Sequence, residues 1–299
     1  MRRGDKKNCR MTTGQRVFDV FNMIFLILLC VVMFYPMWHV VVASFSKAGD
    51  LLQHNGVLLK PIGFTFDAYK SMLKHPLIMS GYMNSIFLLV SSVAVSMVLT
   101  TICAYVLSRK GVMWNKFFNK MIVVTMFVSG GMIASYLLIA RTLGLRDTYW
   151  ALVLPHAISV HNMIIMRTAF QGIPDSLVEA AEIDGASHWQ IMWKVIIPLS
   201  KATLAVITLY YSVAVWNAWF NASIYLASRE KYPLQLVLRE ILIANNTDAM
   251  AGNAGQDQAS IAETIKYATI VAATIPILCI YPFLQKHFTK GVMIGAVKG

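Results

Sequence analysis

Six stretches of this chain contain no aspartate, glutamate, lysine or arginine over at least 19 consecutive residues. They cover residues 20–46, 75–108, 121–140, 148–166, 202–228 and 267–285. A helix of about 20 apolar residues is long enough to cross the hydrocarbon core of a bilayer. Only helices and closed barrels pair all of their backbone groups in lipid, and these runs lack the alternation of a barrel strand. The sequence therefore predicts six transmembrane helices.

The composition agrees with a lipid environment and argues against most soluble classes. Hydrophobic residues make up 57% of the chain and charged residues only 13%, whereas soluble domains carry about 25% charged residues. The net charge of +12 does not require a nucleic-acid partner, because membrane proteins gather lysine and arginine in their cytoplasmic loops. We therefore expect no nucleic-acid partner. The expected helices cover residues 18–43, 83–108, 118–140, 148–168, 202–227 and 267–286.

The distribution of basic residues predicts the orientation. An even number of spans leaves both termini on one side, and that side carries sixteen of the 26 lysines and arginines. By the positive-inside rule, both termini are expected in the cytoplasm. The predicted organisation is a basic tail over 1–16, a transmembrane domain over 17–286 and a second tail over 287–299. The long polar segment 228–266 is expected to form an outer loop.

The sequence offers little material for catalysis. It contains no G-x-x-x-x-G-K-[ST], H-E-x-x-H or G-x-S-x-G pattern, and its four cysteines show no paired spacing. The charge-free runs also lack the buried carboxylate or arginine that ion-coupled carriers use. We expect His156 and His161 to be hydrogen-bonded packing residues, and Ser129-Gly-Gly131 to let helices approach closely. These absences weigh against a membrane enzyme and a secondary transporter, and they predict no cofactor or metal in this chain.

The segment between the fourth and fifth predicted spans, residues 172–199, has the pattern of a helix–turn–helix. Pro174 and Asp175 favour a helix start, and Gly185 can take the left-handed conformation that ends a helix. Ser187 followed by Gln190 predicts a capping box at the start of a second helix. A simple channel does not account for so polar a hairpin.

Two faces of this hairpin are distinctive. Trp189, Met192, Trp193 and Ile196 follow at intervals of three and four, which predicts one apolar face. Glu179 and Glu182 lie three apart, with small alanines beside them, so that a partner could approach closely and pair a basic group with a carboxylate. The residues alone leave two interpretations open, an amphipathic surface hairpin and a docking element.

The same residues carry a family resemblance. Glu179-Ala-Ala181, Gly185 and then Ile197-Pro198 resemble the EAA loop of binding-protein-dependent ABC importer permeases, in the form found in sugar importers. The resemblance extends from about residue 64 to the end of the chain. It includes Trp216-Asn217, Tyr232-Pro-Leu-Gln235 and a tail, 290–299, that is similar to the maltose-type permease subunit ending in Val-Lys-Gly.

This resemblance implies an all-α membrane protein with the type I ABC importer permease fold, whose core covers about 78–286. A cytoplasmic coupling helix lies between helices four and five. The implied partners are a second permease subunit, two ATPase subunits that bind the ATP and magnesium, and an extracytoplasmic binding protein in a bacterium. The implied cargo is a carbohydrate, in particular an oligosaccharide. An ABC permease for a peptide or another small solute is the alternative.

The resemblance also implies roles for particular residues. Those expected in ATPase coupling are Glu179, Ala180, Ala181, Glu182, Asp184, Gly185 and Pro198. Those expected to reach the ATPase through the tail are Gly295, Lys298 and Gly299. Aromatic and amide side chains suit a sugar, and the candidates for the substrate pathway are Asn162, Trp216, Asn217, Phe220 and Asn221. Because Asn217 and Asn221 are four apart, we expect them on one helical face.

Overall fold

The computed structural model describes residues 13–54, 56–251 and 264–279, and all regular structure within these ranges is helical. The helices of the first half are α1 (Thr13–Ser44), α2 (Ala48–Gln53), α3 (Asp67–Lys74), α4 (Pro76–Ser108), α5 (Asn115–Val124) and α6 (Gly131–Tyr136), which continues as a π-helix over Leu137–Thr142. The second half holds α7 (Trp150–Val153), α8 (Val160–Gln171), α9 (Asp175–Ile183), α10 (His188–Ile191), α11 (Ile197–Leu199), α12 (Lys201–Trp216), α13 (Phe220–Tyr225), α14 (Leu234–Ala251) and α15 (Thr264–Cys279).

The predicted spans correspond to helices of very different continuity. Among the described residues, α1 and α4 are each long and apolar enough to cross a membrane, and a third crossing is possible if the bent pair around residue 200 counts as one span. The third, fourth and fifth predicted spans are interrupted at 125–130, 157–159 and 217–219. The sixth is described only as far as Cys279. Six crossings therefore remain a prediction from the sequence.

Helix α4 is the centre of the packing, and α8, α12 and α14 lie against it. Its buried face is lined by small polar residues, among them Ser85, Ser96 and Thr100. A side chain at Gly81 would come within 3.2 Å of the Leu234 Cα atom, so glycine allows α14 to approach closely. The Ser85 hydroxyl then accepts a 2.8 Å hydrogen bond from the Leu234 amide. Small residues bring apolar helices together in this way in lipid.

The segment 228–266, which is expected to form an outer loop, contains a helix in its described part, and its side of the membrane stays a prediction. Residues Leu234–Ala251 form α14, and Leu234, Val237 and Leu238 are buried against the neighbouring helices. The physical reason is an apolar stripe at helical spacing, which the polar residues around it obscure when the segment is read as a whole. Residues 252–263 lie outside the described ranges.

A polar clamp joins two loops at the end of the molecule opposite the hairpin. Asp147, at φ +59°, accepts hydrogen bonds from the amides of Ala227 and Ser228, both at 3.0 Å, and from the Ser228 hydroxyl at 2.7 Å. The Lys231 ammonium donates to the same carboxylate at 2.9 Å. These donors, the Ser228 hydroxyl foremost, hold the pKa of Asp147 well below its usual range. The clamp fixes the loop after α6 to the loop after α13.

The clamp predicts a pH-dependent difference between the wild type and Asp147→Asn. Because the folded pKa of Asp147 is depressed, its stabilisation is complete above the ordinary carboxyl pKa of about 3.9 and is lost as pH falls through the folded value. At neutral pH, amide hydrogen exchange over residues 226–232 should therefore be faster in Asp147→Asn than in the wild type. The gap between the two proteins should narrow in acid.

Asp67→Asn is the matched control, because Asp67 is exposed and only its 3.8 Å ion pair with Lys70 is lost. Surface pairs of that kind contribute little. A gap between wild type and Asp147→Asn that stayed constant from neutral to strongly acid pH would contradict the role of the carboxylate.

Candidate functional site

The hairpin forms as the local sequence predicts. The Gly185 amide donates to the Glu182 carbonyl at 3.0 Å and the Ala186 amide to the Ala181 carbonyl at 2.9 Å, which is the Schellman pattern of helix ends. Gly185 has φ +77°, and no atom lies within 4 Å of the position a Cβ would take. Its conformation, and not the space around it, requires glycine in this chain.

The second helix starts with the predicted capping box. The Ser187 hydroxyl accepts from the Gln190 amide at 3.3 Å, and the Gln190 side chain accepts from the Ser187 amide at 2.9 Å. The reciprocal bonds satisfy two backbone donors that would otherwise lack partners. The turn between the two helices is therefore fixed by local hydrogen bonds on both sides.

One face of the hairpin is part of the main hydrophobic core. Val178 of α9 and Ile191, Met192 and Ile196 of the second helix are buried in the same cluster as Phe170 of α8. Removing such side chains from water contributes about 1.5–3 kcal/mol each. The hairpin is consequently held against the helices behind it by packed apolar side chains.

The opposite face of the hairpin is open. The predicted coupling residues Glu179, Ala180, Glu182, Asp184 and Gly185 are exposed, and Ala181 is half-buried. Ile183 lies between Glu182 and Asp184 in the chain, and its side chain is 85% exposed. Ile183 is not among the residues predicted from the sequence, although an apolar side chain five positions after Val178 lies on the other side of the helix.

The predicted apolar face of the second helix is wrong in part. Met192 and Ile196 are buried, but Trp189 is 58% exposed and Trp193 51% exposed. The reason is a π-helix over Met192–Ile196, whose wider turn changes the side-chain period that the prediction assumed. The two indole rings contact each other edge to face, with centroids 6.0 Å apart.

Pro198 lies at the bend between the hairpin and α12. The segments His188–Leu199 and Lys201–Trp216 meet at 85°. Proline cannot donate the usual helical hydrogen bond, and helices kink at prolines and π-bulges. Hydrogen bonds nevertheless continue across the bend, from the Ser200 amide to Ile196 at 3.0 Å and from the Leu204 amide to Ser200 at 3.0 Å. The bend thus has backbone hydrogen bonds on both of its sides, and we call it the braced corner.

An ion pair ties the start of the hairpin to the end of α4. The Lys110 ammonium donates to the Asp175 carboxylate at 2.5 Å, and both side chains are largely exposed. This hydrogen bond lowers the pKa of Asp175 and raises the pKa of Lys110. Solvent screening keeps the energy of such a pair small, so it orients the loop more than it stabilises the fold.

The three helix interruptions meet at a second feature, a cleft of about 640 Å³ between α6, α13 and the 3₁₀ turn Leu154–His156. Its lining includes Ser129 and Gly131 beside the first break, Pro155 and His156 beside the second, and Phe220 and Asn221 beside the third. Broken helices at membrane depth are tolerated where they line a cavity, and such breaks mark substrate sites in transporters.

Asn221 and Phe220 are the predicted pathway residues that the structure places in this cleft. The Asn221 amide nitrogen donates to the His156 Nε2 atom at 3.1 Å, and the Phe220 ring is exposed. His156 forms the hydrogen bond expected of it, but it is an exposed cleft residue and not a packing residue. Sugar sites combine aromatic faces with amide groups of this kind.

The remaining pathway candidates lie elsewhere. Trp216 is buried, and its indole nitrogen donates to the Ala273 carbonyl of α15 at 3.1 Å. Asn162 is buried on α8. Asn217 is exposed but is not part of the cleft lining. The expectation that Asn217 and Asn221 share a helical face is wrong, because residues 217–219 interrupt the helix between them.

Gly131 belongs to the cleft and not to a helix–helix contact. It has φ +78°, and no atom lies within 4 Å of its would-be Cβ, so the expectation that Ser129-Gly-Gly131 permits close helix packing is wrong for this residue. The left-handed conformation starts α6 after the break. The sequence signal for this interruption is the pair of glycines at 130 and 131 within an apolar run, because paired glycines are typical of turns. Gly295, Lys298 and Gly299 lie outside the described residues.

A buried tyrosine connects the hairpin core with the cleft. Tyr211 of α12 belongs to the core cluster that contains the buried face of the hairpin. Its hydroxyl accepts a 2.9 Å hydrogen bond from the amide of Ser159, in the interruption beside His156, and lies 2.7 Å from the Thr100 hydroxyl of α4. The two features are therefore linked by continuous packing and hydrogen bonds.

Comparison with known proteins places the chain in a family. Residues 12–294 match the model for the binding-protein-dependent transport system inner membrane component. Protein LplC of Bacillus subtilis is 41% identical, covering 96% of this chain and 97% of that protein. The polygalacturonan/rhamnogalacturonan transport system permease protein YtcP of Bacillus subtilis is 40% identical, covering 95% and 99%.

A solved structure agrees with these relatives. A chain of a bacterial ABC transporter involved in the import of the acidic polysaccharide alginate superimposes with a TM-score of 0.86 and 34% identity, covering 93% of this chain and 99% of that one. This chain belongs to the binding-protein-dependent transport system inner membrane component family, the membrane permeases of ABC importers.

Proposed function

We propose that this chain is one of two permease subunits of an ATP-driven importer for an oligosaccharide. The observation that carries the proposal is the hairpin, whose apolar face is fastened into the helical core while its acidic face is left open. Relatives at 40% and 34% identity are named for polysaccharide transport, which supports a carbohydrate cargo. No described feature favours a peptide or another solute.

In this proposal the open face of the hairpin docks in a cleft of an ATPase subunit. Glu179 pairs with a basic group there, Ile183 supplies apolar contact, and the small Ala180 and Ala181 permit close approach. The ATPase subunits bind the ATP and magnesium, since this chain contains no G-x-x-x-x-G-K-[ST] pattern. Closure of the ATPase dimer pulls the hairpin, and the braced corner at Pro198 passes the movement to α12.

The cleft between the interrupted helices forms part of the substrate pathway. The surfaces of α5 and α6 are exposed over almost their whole length, and a second permease subunit covers them and completes the cleft. The binding protein delivers the sugar at the outer end, where the Asp147 clamp lies. The six-span topology, the cytoplasmic termini and hairpin, and the location in a bacterial plasma membrane are parts of the same proposal.

The docking role predicts that Glu179→Lys lowers uptake by more than about tenfold, because reversing a buried interfacial charge costs several kcal/mol. The protein should remain in the membrane, since Glu179 is exposed in the chain itself. Uptake of labelled oligosaccharide and co-purification of the ATPase are the measurements. Asp19→Lys, on the exposed surface near the start of α1, is the charge-matched control and should transport normally. Normal uptake and ATPase binding by Glu179→Lys would contradict the assignment.

The turn predicts a contrast between two substitutions at Gly185. A β-branched residue is strained at φ +77° by roughly 1–2 kcal/mol, whereas asparagine tolerates this region. Gly185→Val should reduce uptake strongly and Gly185→Asn should retain most of it, with equal amounts of both proteins in the membrane. If the two variants transported equally, the conformation of Gly185 would not matter for coupling.

The cleft predicts that Asn221→Leu slows uptake about fivefold, the effect of losing one hydrogen bond of about 1 kcal/mol to the sugar or to its positioning histidine. Asn217→Leu should have a smaller effect, because Asn217 is not part of the lining. Asn22→Leu on the exposed surface of α1 is the matched control. Unchanged sugar uptake by Asn221→Leu would exclude this cleft from the sugar pathway. Peptide uptake is measured in parallel because a peptide is the alternative cargo.

A further inference from the structure

A second cleft, of about 700 Å³, lies at the hairpin end of the molecule. Its walls are the turn between α4 and α5, the end of α8 and the first residue of α9. We call it the basic cleft, because Arg109, Lys110, Lys116 and Arg167 line it together with a single carboxylate, Asp175. Neither the coupling role of the hairpin nor the substrate pathway uses this concentration of positive charge.

Most of this charge is not neutralised within the chain. Asp175 pairs with Lys110, and among the described residues no carboxylate lies within ion-pair distance of Arg109, Lys116 or Arg167. Neutral groups orient two of the three: the Arg167 Nε atom donates to the Leu107 carbonyl at 3.1 Å, and the Arg109 guanidinium lies 5.1 Å from the Tyr105 ring centroid. Oriented cations around a cavity attract an anion.

Exposed apolar residues adjoin the basic cleft along the chain, and Trp114 is one of its lining residues. Trp114, at φ +62°, is 68% exposed, and Met113 is 78% exposed. Phe117 and Phe118 follow at the start of α5 and are also exposed. In water such a group of side chains would be unfavourable, but aromatic residues beside lysine and arginine are typical of the interface between a bilayer and water.

The position of the cleft along the chain agrees with a location at the interface between the bilayer and water. It opens immediately after Ser108, the last residue of the apolar 33-residue helix α4, and before the third predicted span begins. The headgroups of the leaflet surround a turn at this level. Basic pockets between transmembrane helices on the cytoplasmic side bind anionic lipid headgroups.

We propose that the basic cleft binds the phosphate of an anionic phospholipid. Arg109, Lys116 and Arg167 hold the headgroup, and Trp114 and Met113 contact its glycerol and acyl region. Because Asp175 at the base of the hairpin is part of the same wall, the bound lipid lies between the membrane and the coupling element. The proposal rests on the proposed function only in treating this chain as a membrane permease, and it is independent of the cargo.

The test is lipid retention by the complete transporter, purified in detergent from vesicles of equal phosphatidylglycerol and phosphatidylcholine and weighed by native mass spectrometry. The wild type should retain phosphatidylglycerol in preference. In Arg109→Gln and in Lys116→Gln the preference should fall about fivefold each, since one basic residue near an anionic surface contributes about 1 kcal/mol. Lys120→Gln is the matched control, because Lys120 lies on the same helix but outside the lining. Its preference should be that of the wild type.

Other occupants give different results. Displacement of the phosphatidylglycerol by inorganic phosphate at millimolar concentration would identify a site for free phosphate and overturn the lipid assignment. Loss of the ATPase subunit from Arg109→Gln and Lys116→Gln, with lipid retention unchanged, would identify an acidic segment of the ATPase as the occupant. Equal retention of both lipids by the wild type would also overturn the proposal. None of these readouts involves transport, so they remain interpretable if the cargo is not a sugar.

Discussion

Backbone that leaves its helix inside a hydrocarbon layer must be buried in protein or must line a cavity, because lipid offers no hydrogen-bond partners. Three apolar segments of this chain break their helices, at 125–130, 157–159 and 217–219, and the three breaks lie beside one cleft. In the proposed topology these segments lie at membrane depth, and the constraint then accounts for the position of their polar and conformationally permissive residues, Ser129, Gly131 and Asn221 among them, in the cleft. The interruptions and the cleft therefore occur together for one physical reason.

The hairpin follows from a different physical term, the removal of apolar side chains from water. Four of its side chains enter the core that α4, α8 and α12 share, and each contributes about 1.5–3 kcal/mol. The Lys110–Asp175 ion pair, which is largely exposed, adds little to this. A force applied to the acidic face of the hairpin is therefore transmitted through packed side chains, and the Lys110–Asp175 ion pair orients the loop.

The sequence was sufficient to predict the features that depend on local chemistry. The Schellman turn at Gly185 and the capping box of Ser187 and Gln190 need only their own residues, and both were predicted. The family followed from the same residues. Features that depend on tertiary packing were not accessible in this way. The π-helix that exposes Trp189 and Trp193 precedes Pro198, and the interruption that separates Asn217 from Asn221 has no proline near it. In both places the regular helical period is lost without a local signal that the prediction used.

The link between the two sites lies in α12, and Tyr211 shows how it works. A rigid 16-residue helix of about 24 Å begins at the braced corner and ends at the interruption that precedes Phe220 and Asn221. In the second half of this helix, the Tyr211 hydroxyl accepts a hydrogen bond from the Ser159 amide, in the break of the neighbouring segment, and is hydrogen-bonded to the Thr100 hydroxyl of α4. A rotation of α12 driven from the hairpin must therefore either carry the Ser159 break with it or lose a buried hydrogen bond, which is costly. The less costly movement shifts two walls of the cleft together, and in the proposed function this couples the hairpin to the substrate pathway without direct contact between them.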